Sequence, residues 1–453
     1  MEIRGETEPA GSFLGYRGGA LCLERRPLPE LAASLGTPFF LFSESRLRAN
    51  YQALARGLSG AGTTLRYCAK TNHEAAVLRT LAQCGSHLLA SHAAEVELAL
   101  RCGFAPERIA YARPVLTPAE LSSVLAAGVP LLHVHRPEDL PLMEAAAARE
   151  GRRVRVSLRL KQEGGLALSP LDRLNLRLGL SGEEALEAVR RLRRSASLEP
   201  WAVNFYLGTQ QASLAGFTRG FRRVLALLAR IAAETGVLIR EVNLGGGIPS
   251  PSLSRMSPGR WLARWRDLPA PARSSDTPEE FAARLAGRFR ELVEAARLPE
   301  PPALAAEPGR SIVGGAAVLV TRVQGVSGRW AFLDASRSFL PESPLLFARR
   351  ILPLEEPGRG EPGRFYHLSG STLNTLDVLD LRRRLPRLAP GQALAFCDAG
   401  AYSISRASPY AGLPPAVYLL QEDGEVRRVR RAGSVDHLLH PMIPHGERVE
   451  VLP

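Results

Sequence analysis

The chain has 453 residues, of which 45% are hydrophobic and 23% charged, and 58 Lys and Arg against 45 Asp and Glu give a formal charge of +13. This apolar content suffices for one large core or two moderate ones, and no apolar run approaches the length that crosses a bilayer, so a membrane protein is not expected. The basic residues are spread over helix faces rather than gathered into an arm or an aromatic-lined stripe, which argues against nucleic acid as a partner.

The N-terminus MEIRGETEPA has neither a basic n-region nor an apolar h-region, so a cytoplasmic protein is expected. Phe13 to Arg26 reads as strands that complete a β domain further along. Runs of β type then recur at Thr63 to Ala69, Ser86 to Ser91, Arg108 to Arg113, Pro130 to His135, Arg152 to Leu160, Pro200 to Leu207, Leu238 to Gly246 and Pro302 to Glu307. Helical patterns lie between them. Asn72 to Cys84, Ala93 to Cys102 and Pro118 to Ala127 are each stopped by a glycine, namely Gly85, Gly103 and Gly128. Eight strands alternating with helices predict an α/β fold, a (β/α)8 TIM-like barrel over residues 36–310. After Arg310 short Val- and Leu-rich runs (Ala316 to Val323, Arg329 to Asp334, Gln392 to Cys397, Ala416 to Leu420, Arg448 to Leu452) predict a mainly antiparallel β domain, built from residues 311–453 and 1–35. Ser250 to Thr277 and Pro353 to Arg364 read as long loops.

The five cysteines are scattered, odd in number and without metal-ligand spacing, so no disulfide framework and no metal site is expected. The cations are almost all arginine. Lys70 and Lys161 are the only two lysines.

Working residues of such a barrel lie at the C-terminal ends of its strands. Four clusters fall there: Lys70 in RYCAK, Gly208 to Gln210 in NFYLGTQ, Gly245 to Gly247 in NLGGGIP, and Glu307 to Arg310 in AEPGR. A lysine desolvated at a strand end has a lowered pKa and an amine able to form an imine; otherwise it is a snorkelling surface residue. Consecutive glycines let backbone N–H groups approach a phosphate, or simply make a tight turn. A carboxylate such as Glu307 can hold a pyridine nitrogen protonated and Arg310 can fork onto phosphate, or the two form a surface ion pair.

Taken in order, these segments resemble the fold-type III pyridoxal-phosphate decarboxylases, the family of diaminopimelate, ornithine and arginine decarboxylases, from about Leu14 to Leu452. ASHAAEVELAL and, near the C-terminus, CDAGAYSISRASPYAGLPP add to the match. The resemblance implies pyridoxal 5'-phosphate as cofactor, held as a Schiff base on Lys70, with Gly245, Gly246, Gly247, Gly309, Arg310 and Tyr402 around its phosphate, Glu307 at its pyridine nitrogen and Thr209 keeping a hydroxyl beside it. It also implies a small amino-acid substrate and a homodimer with shared active sites.

The chain departs from the family at four places. Tyr206 stands where a histidine stacks on the cofactor ring, and Leu88 where an aspartate lies near the lysine. Leu373 and Asn374, within GSTLNTLD, replace the cysteine and the acidic residue that follows it. DASRSFLPESPLLFARR lacks the arginine with which diaminopimelate decarboxylases grip a distal carboxylate, although Arg337 and Arg349 flank the place.

Leucine cannot donate a proton, so Tyr206, Ser371, Thr372 or a water must reprotonate the carbanion if decarboxylation is the reaction. The leading expectation is a decarboxylase-like enzyme acting at the α-carbon of an amino acid or derivative, with Lys70 and Tyr206 catalytic and Arg337, Arg349, Ser371 and Asn374 meeting substrate. The alternatives are a racemase or lyase on the same cofactor, or a cofactor-binding homologue acting in regulation. The segment after GGGIP, with Trp261, Trp265 and four nearby arginines, reads either as an insertion packed on its neighbours or as a basic lid for an anionic or carrier-tethered substrate.

Overall fold

A computed structural model describes residues 13–161, 177–250, 253–267, 276–358 and 361–442. The run Arg448 to Leu452, the first twelve residues and parts of both expected long loops lie outside the described residues. Two compact units are present, one holding the described residues within 44–255 and 272–316, the other those within 1–43, 256–271 and 317–453.

The first unit is a closed barrel of eight parallel strands, Thr64–Cys68, His87–Ala90, Ile109–Ala112, Leu131–Val134, Val154–Arg159, Leu198–Asn204, Glu241–Asn243 and Ala303–Ala306, in that order around the wall. It closes through Ala305↔Thr64 and Ala306↔Leu65. All eight correspond to runs expected from sequence. Several connecting helices begin on side-chain caps: Thr117 accepts from Glu120 N, and Ser181 with Glu184 and Thr277 with Glu280 form capping boxes. Gly85, Gly103 and Gly128 all have positive φ at the helix ends where they were expected.

The second unit contains a nine-stranded, mainly antiparallel sheet. Its path runs Val378–Leu385, Arg364–Ser369, Trp330–Leu333, Ala317–Ser327, Phe39–Ser43, Ala416–Leu420 and Val426–Arg430, with Ala393–Phe396 and Ile351–Pro353 attached beside Ala317–Ser327. Two expectations change here. Leu14–Arg17, Ala20–Leu23 and Arg26–Pro27 form a separate three-stranded meander, and the N-terminal strand that completes the large sheet is Phe39–Ser43. That run is buried at all five positions, so it lacks the alternation that marks a half-exposed strand. The meander joins the same core, where Leu14, Leu21 and Leu23 gather with Phe39, Val318 and Ala395.

Within the expected loop Ser250 to Thr277, the described residues include a helix. Ser257 caps a helix over Pro258–Arg266, and Arg264 Nη1 donates to Asp380 Oδ1 at 2.8 Å, while Arg382 Nε donates to the Arg264 carbonyl at 3.0 Å. This helix is fastened to the edge strand of the β sheet. Among the described residues no helix is long and apolar enough to cross a membrane.

Candidate active site

Alternate residues of a barrel strand face inward, and in this barrel many of those positions are polar. One set is an ion pair between the first and seventh strands: Arg66 Nη1 and Nη2 donate to Glu241 Oε1 and Oε2, both at 2.8 Å, with each side chain under a tenth exposed. His87 lies beside this pair, and burial, reinforced by Arg66, lowers its pKa to about 4. His133 and His135, on the fourth strand and just past its end, are lowered to about 3, chiefly by burial and then by Arg66 and Arg159 respectively. All three rings are neutral at pH 7.

Glu307 stands just past the last barrel strand, buried, above this layer. Its backbone N–H donates to the Gly245 carbonyl at 2.8 Å, and Asn243 Nδ2 donates to its Oε1 at 2.7 Å. Asn243 Oδ1 accepts from Gly245 N at 2.8 Å, so one amide ties the carboxylate to the glycine turn. His133 Nε2 lies 3.4 Å from the same Oε1. Burial pushes the Glu307 carboxyl upward, while Arg66, the Asn243 hydrogen bond, Arg159 and Lys70 pull it back.

Lys70 sits in a 3-10 turn, Ala69–Thr71, directly after the first strand. Its neighbours Ala69 and Thr71 are buried but Lys70 itself is exposed, so protein burial alone does not supply the desolvation expected from sequence. Its charge nevertheless acts on Glu307, His135 and Cys68, which puts it at the same end of the barrel. Two glycine positions are constrained by close approach. Gly247 has φ +97, and a Cβ there would collide with the Gly208 carbonyl; a Cβ on Gly309 would collide with the Thr71 hydroxyl. The Gly208–Gln210 loop is joined to this turn, since Gln211 N donates to Gly247 O at 2.9 Å and Gln210 Nε2 donates to Ser250 O at 3.1 Å and Leu253 O at 2.9 Å. Tyr206, half-buried, has the Arg159 guanidinium 5.5 Å from its ring centre. Thr209 lies on the same loop.

The barrel unit therefore brings Lys70, Tyr206, Thr209, Gly245, Gly246, Gly247, Glu307, Gly309 and Arg310 to one end. Tyr402, Arg337, Arg349, Ser371 and Asn374 belong to the β unit. Tyr402 is half-buried at φ +53. Arg349 does not suit a substrate role as expected: its guanidinium is buried, paired with Glu342 at 2.6 Å and donating to the Asp398 carbonyl. Arg337 donates to the Leu376 and Pro341 carbonyls at 3.0 and 3.1 Å, holding loops together. The loop Gly370–Asp377 is organised by Asp377, whose carboxylate accepts from Arg337 N, Thr372 N and Thr372 Oγ1 at 2.8, 2.9 and 2.6 Å. Leu373 at its tip is fully exposed, Asn374 is exposed, and Ser371 N donates to Ala335 O at 3.0 Å.

Sequence reasoning missed Arg66, Glu241, Asn243, His133 and Arg159. Their common signal is a polar residue at an inward position of a barrel strand.

The donor set suits the pyridoxal phosphate that the resemblance implies. A buried carboxylate suits a pyridinium nitrogen, a lysine amine lies at the same rim, and the Gly245–Gly247 turn and Gly309 form a cradle that side chains would fill. The buried hydroxyl of Ser311, next to Arg310, has no hydrogen-bond partner among the described residues.

Residues 44–314 match the family model described as pyridoxal-dependent decarboxylase, pyridoxal binding domain. The chain is 24% identical to a diaminopimelate decarboxylase of Aquifex aeolicus over 98% of this chain and all of the relative. It is 29% identical to that of Methanothermobacter thermautotrophicus over 90% of this chain and 92% of the other. Among solved structures it resembles the diaminopimelate decarboxylase of M. jannaschii in complex with L-lysine, with TM-score 0.83, 22% identity and coverage of 96% and 99%. It also resembles the lysine/ornithine decarboxylase of Vibrio vulnificus complexed with putrescine, with TM-score 0.69, 21% identity and coverage of 88% and 98%.

Proposed function

The chain belongs to the pyridoxal-dependent decarboxylases and uses pyridoxal phosphate on an amino acid, and from that premise we propose that it removes the α-carboxylate of its substrate at the barrel end where Lys70 and Glu307 meet. The observation that carries this reading is the convergence of Lys70, Glu307 and the Gly245–Gly247 cradle at one end of a closed barrel. Lys70 would hold the cofactor through its amine, Glu307 its pyridine nitrogen, and the glycine turn with Gly309 and Arg310 its phosphate. A role for Tyr402 at the phosphate rests on the resemblance alone. The cofactor, when bound, supplies the electron sink for the pair left behind as carbon dioxide departs. Tyr206, with the Arg159 guanidinium 5.5 Å from its ring centre, would cover the ring, and Thr209 would offer a hydroxyl from the same loop.

Relatives named diaminopimelate decarboxylases make diaminopimelate the first substrate to test. Against it stand the burial of Arg349 in its pair with Glu342 and the use of Arg337 on backbone carbonyls, which engage the two arginines flanking the place of the family's arginine. A carrier-tethered substrate is not favoured, because Arg264 of the Trp-containing helix is engaged by Asp380. A homodimer is part of the proposal: Leu345, Leu373, Leu376 and Tyr410 are large apolar side chains left exposed on neighbouring loops of the β unit. Light scattering that returns a monomer would remove that part.

Purified protein loaded with cofactor should be incubated with diaminopimelate, lysine, ornithine and arginine in deuterated buffer. Release of carbon dioxide from one of them supports the proposal. Exchange at the α-carbon without carbon dioxide favours the racemase reading, and neither reaction favours a homologue that only binds.

A further inference from the structure

Glu307 presents two oxygens, and the protein treats them differently. Asn243 Nδ2 donates to Oε1 at 2.7 Å, and His133 Nε2 faces that same oxygen at 3.4 Å. Both contacts converge on Oε1. His133 is 2% exposed, and among the described residues its Nε2 closes no hydrogen bond. A buried donor kept in that condition calls for an account, because most such atoms in folded proteins are satisfied.

We propose that His133 is a positioning residue for Glu307: with Asn243 it holds Oε1, which turns Oε2 toward the pyridine nitrogen of the bound cofactor. This rests on the assignment of Glu307 to that nitrogen. Two features support the geometry. An imidazole lone pair directed at a carboxylate would be repelled, so the proton of the neutral ring belongs on Nε2 and that nitrogen is a donor. The ring is neutral because burial, Arg66 and Arg159 all oppose its protonation. A charged histidine would compete with the pyridinium for the carboxylate; a neutral one orients the carboxylate and leaves its charge to the cofactor.

His133 is placed for this task by the strand itself. It pairs with Ala112 on one side and Ser157 on the other, and faces inward from a rigid wall, so its ring has little freedom to turn away. Holding one carboxylate oxygen from two elements, the fourth and seventh strands, fixes the plane of the group better than one hydrogen bond does.

The test compares pyridoxal phosphate with its analogue in which the ring nitrogen is replaced by carbon, titrated into the cofactor-stripped full chain and followed by absorbance. Wild type should prefer pyridoxal phosphate, and Glu307→Gln should lose much of that preference. His133→Leu and His133→Met remove the donor at similar volume and should weaken pyridoxal phosphate about tenfold while changing the analogue by less than about twofold. His133→Gln, which keeps an amide donor near the Nε2 position, should stay close to wild type. Equal loss of both ligands in the Leu and Met variants, or no loss of either, would overturn the proposal. If wild type shows no preference between the two ligands, the Glu307 assignment fails and the proposal fails with it. A His133→Leu chain that does not fold leaves the Met and Gln variants to decide.

Discussion

Replacing Arg66 by methionine should be among the most damaging single changes in the barrel, and the reason lies in what it leaves behind. Arg66 donates two hydrogen bonds to Glu241 at 2.8 Å with both side chains nearly excluded from solvent. Removing one member of such a pair strands a buried charge and costs about 3–5 kcal/mol, whereas replacing both with apolar residues of similar volume is often neutral. The expected pattern is therefore non-additive: Arg66→Met is severe, Glu241→Met is severe, and the double variant recovers most of the loss. Against a typical total of about 5–15 kcal/mol, the single variants should show a large drop in urea midpoint. The measurement belongs on cofactor-free protein, because a ligand bound only to the folded state would mask part of the loss. Trp201, packed 4.0 Å under the Arg155 guanidinium, is the one tryptophan of the barrel unit, so a chain with Trp261, Trp265 and Trp330 changed to phenylalanine reports barrel unfolding by fluorescence. Single variants within about 1 kcal/mol of the parent, or a double variant no better than the sum of the singles, would refute the reasoning.

Gly247→Ala should bind cofactor at least about tenfold more weakly while staying folded, since φ +97 and the Gly208 carbonyl both exclude a Cβ; unchanged affinity in a cofactor titration would remove the cradle from the account. Stability should fall on mild acidification. His133 and His135 titrate at about 3 and His87 at about 4 in the folded chain, all below the unfolded value of about 6.5, so the unfolded state takes up protons first. Their contribution is complete above that unfolded value and is lost as pH falls from it toward 3. His133 alone accounts for about 2 kcal/mol at pH 5. Glu307, raised by burial, works in the opposite sense and offsets part of the loss. Urea midpoints at pH 7.5 and 5 check the sign, and a chain equally stable at both would contradict the neutral histidines.

The barrel was legible because its strands are short apolar runs bounded by glycine and proline, a pattern that local chemistry imposes. The ends of those strands exposed Lys70, Gly245 to Gly247 and Glu307 for the same reason. What lay hidden depends on distance in space. Arg66 and Glu241 are 175 positions apart, and nothing local distinguishes an inward arginine in LRYC from a surface one. Asn243 preceded the glycine run without any sign that its amide joins the turn to Glu307. Phe39–Ser43 was missed because a strand buried on both faces has no alternation, and Pro258–Arg266 because its arginines suggested a loop although Ser257 and Pro258 form a helix start. Arg349 was read as a substrate contact from its place in the chain, whereas its partner Glu342 assigns it to the interior.

The central claim is that Lys70 carries the cofactor, and a chain with two lysines allows a direct answer. Lys161 lies 3.6 Å from Glu184, so it serves as an internal control. Protein loaded with pyridoxal phosphate should be reduced with borohydride, digested and mapped by mass spectrometry. A pyridoxyl label on Lys70 and none on Lys161, abolished by Lys70→Ala, is the predicted result. A label on Lys161, or a reducible adduct that survives in Lys70→Ala, would contradict the account.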